Sequence, residues 1–410
     1  MDITIYTLSK EGIYLSIFLE KSIYKKIIKN ISSDPFTVTF WDGSTEQYNE
    51  GTPPVFHMTF HKPLNKSAVL SSTMNALAEA YMDGTLTIEG NLEKIIESAF
   101  NNKESFLNQS KLLTKLSKIK GNSTKKSKED ISYHYDLGND FYSLWLDETM
   151  SYSCAYFKTP EDTLYDAQMN KIHHTLKKLS LQPGQKLLDI GCGWGFLMIE
   201  AAKLYNVQVL GITLSEEQYK ITKQRIEAEG LTGQVDVQLV DYRELSKENL
   251  TFDRIVSVGM LEHVGQVNLP VFMEAVDKLL VEGGVALIHC ITGFVETEGN
   301  DFLTKYIFPG GYIPSIRELV DHMSQHHFRI DDLENLRLHY HRTLQYWVKN
   351  FEANIESIQE MFDDRFIKMW RLYLNACAAN FTAGITNLHQ FLITKGVNNT
   401  LPLTRDYLYE

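Results

Sequence analysis

The stretch KLLDIGCGWGF, residues 186–196, decides the fold that we predict for this chain. Leu187–Ile190 is a short apolar run that predicts a buried strand, and the glycine-rich segment Gly191–Gly195 follows it directly. Apolar residues then recur at helical spacing from Phe196 onward. Because glycine has no Cβ, such a loop lets a ligand approach the backbone near the N-terminus of the following helix. The stretch therefore predicts a strand, a ligand-binding turn and a helix.

The spacing of the glycines indicates the class of ligand. The loop reads GxGxG, whereas dinucleotide-binding folds carry GxGxxG, so a pyrophosphate is not the first choice. An adenosine-type ligand without phosphates fits as well, and S-adenosylmethionine is the common one. The alternative interpretation is a glycine turn that only connects two elements. The strands that follow must decide between the two.

Composition sets limits on the protein class. The chain has 410 residues, of which 43% are hydrophobic and 22% charged, which is enough for two packed domains. A net charge of -12 argues against nucleic acid as a partner. Four cysteines without CxxC spacing predict neither a disulfide framework nor a metal site, so we expect a reduced, cytoplasmic protein. No apolar run approaches the ~20 residues that span a bilayer, so any contact with lipid is expected to be peripheral.

Residues 1–105 predict a small α+β accessory domain, which we interpret as one that meets a lipid surface. The alternating runs FTVTFW (36–41) and VFHMTF (55–60) predict strands, and residues 68–83 have helical spacing that ends at Gly84.

Residues 106–130 differ in composition from the domain before them. Seven lysines lie between Lys111 and Lys128 without an acidic residue, while leucines recur at roughly helical spacing. This pattern predicts a basic amphipathic helix and linker that anionic lipid would attract. A solvated interdomain linker is an equally good interpretation.

Residues 131–410 predict the catalytic domain. Four further strands follow the first, in the segments 206–218, 235–245, 252–265 and 283–293. Because strands and helices alternate, we expect a parallel sheet with right-handed crossovers, whose carboxyl ends gather polar groups at one edge. Thr213 stands where an acid commonly holds the ribose, and Asp241 ends the third strand. Residues 294–410 are predicted to be insertions and helices.

An aromatic-rich segment, ISYHYDLGNDFYSLWLDETMSYSCAYF, covers residues 131–157. It predicts either a wall or lid of the ligand site or plain core packing, and packing is the default for any single ring.

Eight motifs carry a family resemblance: YHYDLGNDFYSLWLD, MSYSCAYF, LLDIGCGWG, GITLSEEQ, VGMLEHVG, IHCITG, YIFPGGYIPS and YLNACAANF, in this order between residues 133 and 381. On these motifs the chain resembles the cyclopropane-fatty-acyl-phospholipid synthase family, which is related to the mycolic acid cyclopropane synthases. The resemblance implies a Rossmann-like α/β S-adenosylmethionine-dependent methyltransferase fold with helical insertions. It also implies a homodimer that is peripherally associated with the inner face of the membrane.

The activity that the resemblance implies is methyl transfer from S-adenosylmethionine to a cis double bond of an unsaturated phospholipid acyl chain, followed by ring closure. Bicarbonate would act as the base. Two alternatives stay open: a non-cyclising lipid methyltransferase on the same fold, and a lipid-surface binding protein whose methyltransferase portion is degenerate.

The resemblance also assigns roles to individual residues. The bicarbonate contacts carry over to the backbone of Cys154 and Ile291 and to the side chains of Glu262, His289 and Tyr340, and an active-site cysteine carries over to Cys377. The cofactor contacts carry over to Tyr152, Ser153, Leu187, Leu188, Asp189, Ile190, Gly191, Cys192, Gly193, Trp194, Gly195, Thr213, Leu214, Ser215, Gln218, Tyr242 and Arg243. Taken singly, each of Glu262, His289 and Tyr340 fits a structural role better, whereas together, with the flanking motifs intact, they favour the ion site. The implied chemistry requires no thiolate from Cys377.

Overall fold

The computed structural model describes residues 21–409 apart from 23, 52, 103–104, 106–136 and 297–300. The predicted basic segment 106–130 and the start of the aromatic segment therefore lie outside the described residues. The chain divides into two compact units. The first contains the described residues up to 105 together with Asp364–Ala383, and the second contains the described remainder.

The first unit is built on a four-stranded sheet in the order β2-β1-β3-β4. Its elements before residue 105 are β1 (Phe36–Thr39), β2 (Thr45–Tyr48), β3 (Phe56–Phe60), α1 (Lys66–Ser71), α2 (Thr73–Met82), β4 (Leu86–Glu89) and α3 (Leu92–Asn101). The two predicted strands are confirmed as β1 and β3, which pair in parallel. The predicted helix 68–83 is two helices, because Ser72 adopts an extended conformation and its side chain accepts a hydrogen bond from Asn75 N–H, capping α2.

The second unit is built on a seven-stranded sheet in the order β10-β11-β9-β8-β5-β6-β7. The strands are β5 (Lys186–Ile190), β6 (Gln208–Thr213), β7 (Val235–Leu239), β8 (Phe252–Val258), β9 (Leu280–Gly293), β10 (Phe328–Asn335) and β11 (Thr386–Lys395). The helices are α4 (Asn139–Ser143), α5 (Leu164–Lys178), α6 (Phe196–Tyr205), α7 (Glu216–Ala228), α8 (Tyr242–Leu245), α9 (Leu269–Leu279), α10 (Asp301–Tyr306), α11 (Ile316–Gln325), α12 (Arg337–Ala353) and α13 (Ile355–Met361).

Strand β5 lies in the middle of this sheet and is buried on both faces. Leu187 packs into a core cluster with α5, α6 and α7, whereas Leu188 packs into a second cluster with α9 and α11. The chain runs outward from β5 to β6 and β7, and then returns to form β8 and β9 on the other side of β5. Strands β5 to β9 pair in parallel, as predicted. Such a reversal opens a ligand-binding crevice at the carboxyl ends of the strands.

Two strands occur where only insertions and helices were predicted. Strand β11 pairs antiparallel with β9, and β10 pairs antiparallel with β11. The prediction for residues 294–410 was therefore wrong at these two segments, because neither carries a regular apolar pattern and both are held by pairing with the rest of the sheet.

The last helix, α14 (Asp364–Thr382), belongs to the first unit, where it packs against α2 and α3. It confirms the helix that the apolar composition of 371–381 predicts. Among the described residues, no helix combines the length and the apolar character that crossing a bilayer requires.

Candidate active site

A cavity opens at the carboxyl ends of β5, β6, β7 and β8. Most of the residues predicted to bind the cofactor line it: Tyr152, Ser153, Asp189, Ile190, Gly191, Cys192, Gly193, Trp194, Thr213, Leu214, Gln218, Tyr242 and Arg243. Four predicted residues do not line it. Leu187 and Leu188 point into the two cores, Gly195 is the N-cap residue of α6, and Ser215 caps α7.

The glycine loop forms the floor of the cavity. Gly191, Gly193 and Gly195 have φ angles of +84°, +56° and +79°, a left-handed conformation that favours glycine. A Cβ at Gly191 would stand 2.8 Å from Met260 Cγ, so this position is also closed to larger residues. At Gly193 no protein atom lies within 4 Å of such a Cβ. The backbone at Gly193 is therefore open to the cavity.

Aromatic rings form one wall. Tyr152 lines the cavity, and its ring lies 5.2 Å from the rings of both Trp145 and Trp347. Tyr340 also contacts Trp347, edge to face, with ring centroids 6.0 Å apart. Trp145 is fully buried. Both interpretations of the aromatic segment thus hold, since Tyr152 is a wall residue and Trp145 is core packing.

Two polar pairs stand at the ends of β6 and β7. Thr213 Oγ1 donates to Gln218 Oε1 over 2.8 Å, which leaves the Gln218 amide N–H groups as donors. The Asp241 carboxylate is bound by Arg243 through Nε and Nη2, at 2.8 and 2.7 Å. These groups suit the hydroxyl and amino groups of an adenosine.

A pair of opposite charges lies in the remaining wall. Asp189 makes no direct hydrogen bond from its carboxylate to another described residue, and burial raises its pKa to about 7 while the charge of Lys171 opposes the rise. Lys171 also lines the cavity and is buried, which the sequence analysis missed. The signal was present, because Lys171 is spaced seven residues from Leu164 on the buried stripe of α5.

Glu262 and His289 both lie near the carboxyl end of β8: Glu262 is on the turn that follows this strand, and His289 pairs with Val258, its last residue. Glu262 lies on a 3₁₀ turn, and its Oε1 accepts a hydrogen bond of 2.7 Å from Ile291 N–H. Its Oε2 is buried and has no hydrogen-bond partner among the described residues. Burial raises the pKa of Glu262 to about 7, although the Ile291 N–H opposes that rise.

His289 is buried within β9, and its two ring nitrogens differ in environment. Nδ1 lies 3.1 Å from Gln390 Nε2, a donor, so Nδ1 accepts and Nε2 carries the proton. Nε2 is buried without a partner among the described residues. Burial, followed by the charges of Lys171 and Lys178, lowers the pKa of His289 well below its usual value. The ring is therefore neutral and presents an unused N–H donor.

The other residues assigned to the bicarbonate site make contacts of their own. Cys154 is fully buried, its thiol contacts Leu336 O at 3.8 Å, and Leu336 lies one turn before Tyr340. The Ile291 N–H donates to Glu262, so it does not stand free for an anion. None of the five residues lines the cofactor cavity itself, but their neighbours Ser153, Gly259 and Met260 do.

Cys377 lies on helix α14, which belongs to the first unit. Burial raises the pKa of its thiol to about 12, so the thiol is protonated at neutral pH. Its assignment as an active-site cysteine stays a prediction. Among the described residues, no three His, Cys, Asp or Glu side chains are grouped so that they could hold a metal ion.

Comparisons with known proteins place this site in a family. The profile of a family described as mycolic acid cyclopropane synthetase matches residues 122–391, and that of a domain of unknown function matches residues 23–111. A probable fatty acid methyltransferase of Pseudomonas putida is 37% identical over 92% of this chain and 96% of its own length. The cyclopropane-fatty-acyl-phospholipid synthase of Escherichia coli (strain K12) is 43% identical over 66% of this chain and 69% of its own.

Solved structures agree with the sequence comparisons. The crystal structure of mycolic acid cyclopropane synthase CmaA1 with S-adenosylhomocysteine covers 65% of this chain and 98% of that one, with 35% identity and a TM-score of 0.62. The glycine loop, the polar groups at the ends of β6 and β7, and the buried side chains of Lys171 and Asp189 all fit S-adenosylmethionine. The chain therefore belongs to the mycolic acid cyclopropane synthetase family and is an S-adenosylmethionine-dependent methyltransferase.

Proposed function

We propose that this enzyme is a cyclopropane-fatty-acyl-phospholipid synthase. It would transfer the methyl group of S-adenosylmethionine to a cis double bond in an unsaturated phospholipid acyl chain and close a cyclopropane ring with the help of bicarbonate. The observation that carries the proposal is the pair of buried, unsatisfied atoms Glu262 Oε2 and His289 Nε2. The Escherichia coli relative named for this activity supports the lipid class.

The two unsatisfied atoms are complementary to bicarbonate. That ion has one O–H donor and two anionic oxygens, so it needs both an acceptor and a donor. Glu262 Oε2 would accept the O–H, and the His289 Nε2–H would donate to an anionic oxygen. Buried polar atoms are almost always hydrogen-bonded, and leaving one unpaired costs about 1–3 kcal/mol. A small oxyanion bound between them would remove this cost for both.

The aromatic wall suits the reaction on the alkene. When bound, S-adenosylmethionine supplies an electrophilic methyl group and bicarbonate supplies a proton acceptor. An alkene is a weak nucleophile, so the walls of the site must hold it in line with the methyl group. Attack leaves a positive charge on the acyl chain, which the face of Tyr152, packed against the rings of Trp145 and Trp347, would stabilise by about 0.5–2 kcal/mol. The same rings exclude the water that would trap the cation.

The substrate also sets the place of action. We propose a homodimer that binds peripherally at the inner face of the membrane, where unsaturated phospholipid is available. The basic segment Lys111–Lys128 supports the binding to the membrane, since each lysine near an anionic surface contributes about 1 kcal/mol to binding.

The test is to incubate the purified enzyme with methyl-labelled S-adenosylmethionine and vesicles of a monounsaturated phospholipid, with and without bicarbonate in carbon-dioxide-free buffer. We expect the acyl chains to gain one CH₂ as a ring by mass spectrometry, at a rate that rises with bicarbonate. A labelled product that keeps a double bond or gains oxygen would instead identify the non-cyclising methyltransferase. The relative named a probable fatty acid methyltransferase is the reason to test this alternative. An absence of label in lipid would contradict both.

A further inference from the structure

Lys171 is a buried cation in the wall of the cofactor cavity, and the proposed function assigns it no role. It lies on α5 and is 4% exposed, and its Nζ donates a hydrogen bond of 2.9 Å to Ser153 Oγ. Burying an ammonium group is costly unless it is paired and hydrogen-bonded. Its position therefore requires a partner.

The partners that the protein supplies are incomplete. An ammonium group has three donors. Ser153 Oγ is the one hydrogen-bond acceptor that the described residues place on Lys171 Nζ, and no described carboxylate forms an ion pair with it. Asp147 and Asp189 act on it only at longer range, and although burial lowers its pKa to about 8, the group stays charged at neutral pH. Two N–H groups of a charged lysine thus remain for a ligand.

Lys178, on the same helix, is a useful contrast. It is fully buried, and its Nζ lies 2.6 Å from Glu334 Oε2 and 3.3 Å from Asp332 Oδ2. Where a buried lysine of α5 lies away from the cavity, the chain itself supplies the anions. Around Lys171, which lines the cavity, Asp147 and Asp189 act only at longer range, and no described carboxylate forms an ion pair with its Nζ.

The ligand of this cavity carries one anionic group, the α-carboxylate of its methionine part. We propose that Lys171 binds this carboxylate and that Ser153 assists it. Because Ser153 Oγ accepts from Lys171, its own hydrogen points elsewhere and can donate to the same carboxylate. This inference rests on the cofactor of the family and not on the proposed lipid substrate, so either can fail without the other.

The test compares two ligands by isothermal titration calorimetry. S-Adenosylhomocysteine carries the amino-acid part, whereas methylthioadenosine has the same nucleoside and sulfur without it. In the Lys171→Met variant we expect the affinity for S-adenosylhomocysteine to fall about 10- to 100-fold, the range for a lost charge-assisted hydrogen bond. The affinity for methylthioadenosine should be unchanged. In Lys178→Met, which also loses a buried lysine, the ratio of the two affinities should stay at the wild-type value.

Lys171→Arg keeps the cation and provides a second variant in case Lys171→Met folds poorly. It should keep most of the preference for S-adenosylhomocysteine over methylthioadenosine. The proposal is overturned if Lys171→Met weakens both ligands equally, since the lysine would then only support the fold. It is also overturned if Lys171→Met leaves the affinities for both ligands at their wild-type values.

Discussion

At the scale of single residues, surroundings rather than residue type set the chemistry of the site. An ordinary glutamic acid is fully ionised at neutral pH, but burial brings the pKa of Glu262 to about 7. Both protonation states are then populated near neutrality, so the same side chain can accept a proton and give it back. One of its oxygens is fixed by Ile291 N–H, which leaves the other for this exchange.

Replacing Glu262 by Gln tests that assignment. The amide keeps an acceptor for Ile291 N–H but cannot exchange a proton, so we expect turnover in the vesicle assay to fall by roughly 10²- to 10⁴-fold. The affinity for S-adenosylhomocysteine should change less than about twofold, because Glu262 does not line the cofactor cavity. Glu274→Gln, on the exposed face of α9, is the matched control and should leave both unchanged. Normal turnover in Glu262→Gln would exclude the role.

The residues of the site were predictable to different degrees. Asp189, Thr213 and Asp241 end or follow apolar strands, and the pattern alone brings them to one edge of a parallel sheet. Lys171 was missed because it stands on a helix outside every quoted motif. Its position on the apolar stripe of α5 was visible, but only the folded protein reveals that the stripe borders the cavity rather than the core.

At the scale of elements, two glycines of the loop serve different purposes. Gly193 and Gly195 both have positive φ angles, but a Cβ at Gly195 would overlap Thr222 Cγ2, whereas one at Gly193 would enter open space beside the cavity. Gly195 therefore lets α6 and α7 approach, and Gly193 leaves room for the ligand.

Alanine at each position should separate the two roles. Gly195→Ala should lower the free energy of unfolding by about 2–4 kcal/mol, through left-handed strain and overpacking. Gly193→Ala should lower it by only about 1–2 kcal/mol, from the strain alone, and yet weaken S-adenosylhomocysteine more than tenfold. Urea denaturation and calorimetry measure the two effects. Normal cofactor affinity in Gly193→Ala would mean that the loop does not approach the ligand.

A second element-scale feature is the ion pair that joins α5 to β10. Glu334 Oε2 lies 2.7 Å from His174 Nε2 and 2.6 Å from Lys178 Nζ. Burial by itself would raise the pKa of Glu334, but the hydrogen bond from His174 and the charge of Lys178 outweigh it and hold the pKa at about 2. The folded state therefore binds this proton more weakly than the unfolded chain does.

This depressed pKa predicts a pH dependence of stability. The contribution of Glu334, about 3 kcal/mol for a shift of this size, is present above the unfolded pKa near 4.5 and is lost as the pH falls toward 2. The difference in unfolding free energy between the wild type and Glu334→Gln should shrink over that interval. Glu244→Gln, in an exposed pair with Lys247, should show little difference at any pH. A constant difference for Glu334→Gln would contradict the assignment.

Elements with a regular apolar pattern were predictable, and the others were not. Strands β5 to β9 carry regular apolar patterns, nearly continuous in β9 and alternating in β7, so their burial follows from sequence. Strand β10 alternates poorly, with only Phe328 and Asp332 buried in the middle of exposed residues. Strand β11 buries Asn387, His389 and Gln390 among apolar residues. Pairing defines both strands rather than any local preference, because β11 pairs with β9 and β10 pairs with β11.

At the scale of the whole molecule, the sequence predicts that the enzyme is attracted to anionic membranes, and the described residues do not test this prediction. Lys111, Lys115 and Lys118 lie outside them. Changing all three to Glu should weaken sedimentation with anionic vesicles and remove most of its salt dependence. The control changes Lys220, Lys247 and Lys278, three exposed lysines of the second unit. An equal loss in both triple variants would mean that net charge alone, and no particular segment, governs the attraction.

The path of the chain also constrains any attempt to take the enzyme apart. Helix α14 packs on α2 and α3, yet it is encoded between α13 and β11 of the second unit. A fragment that begins at residue 137 would keep this helix while losing α2 and α3, the helices that it packs against. To express the second unit alone, α14 must be deleted and the chain rejoined between α13 and β11. A chimera made by exchanging only the N-terminal residues would pair α14 with a foreign α2 and α3.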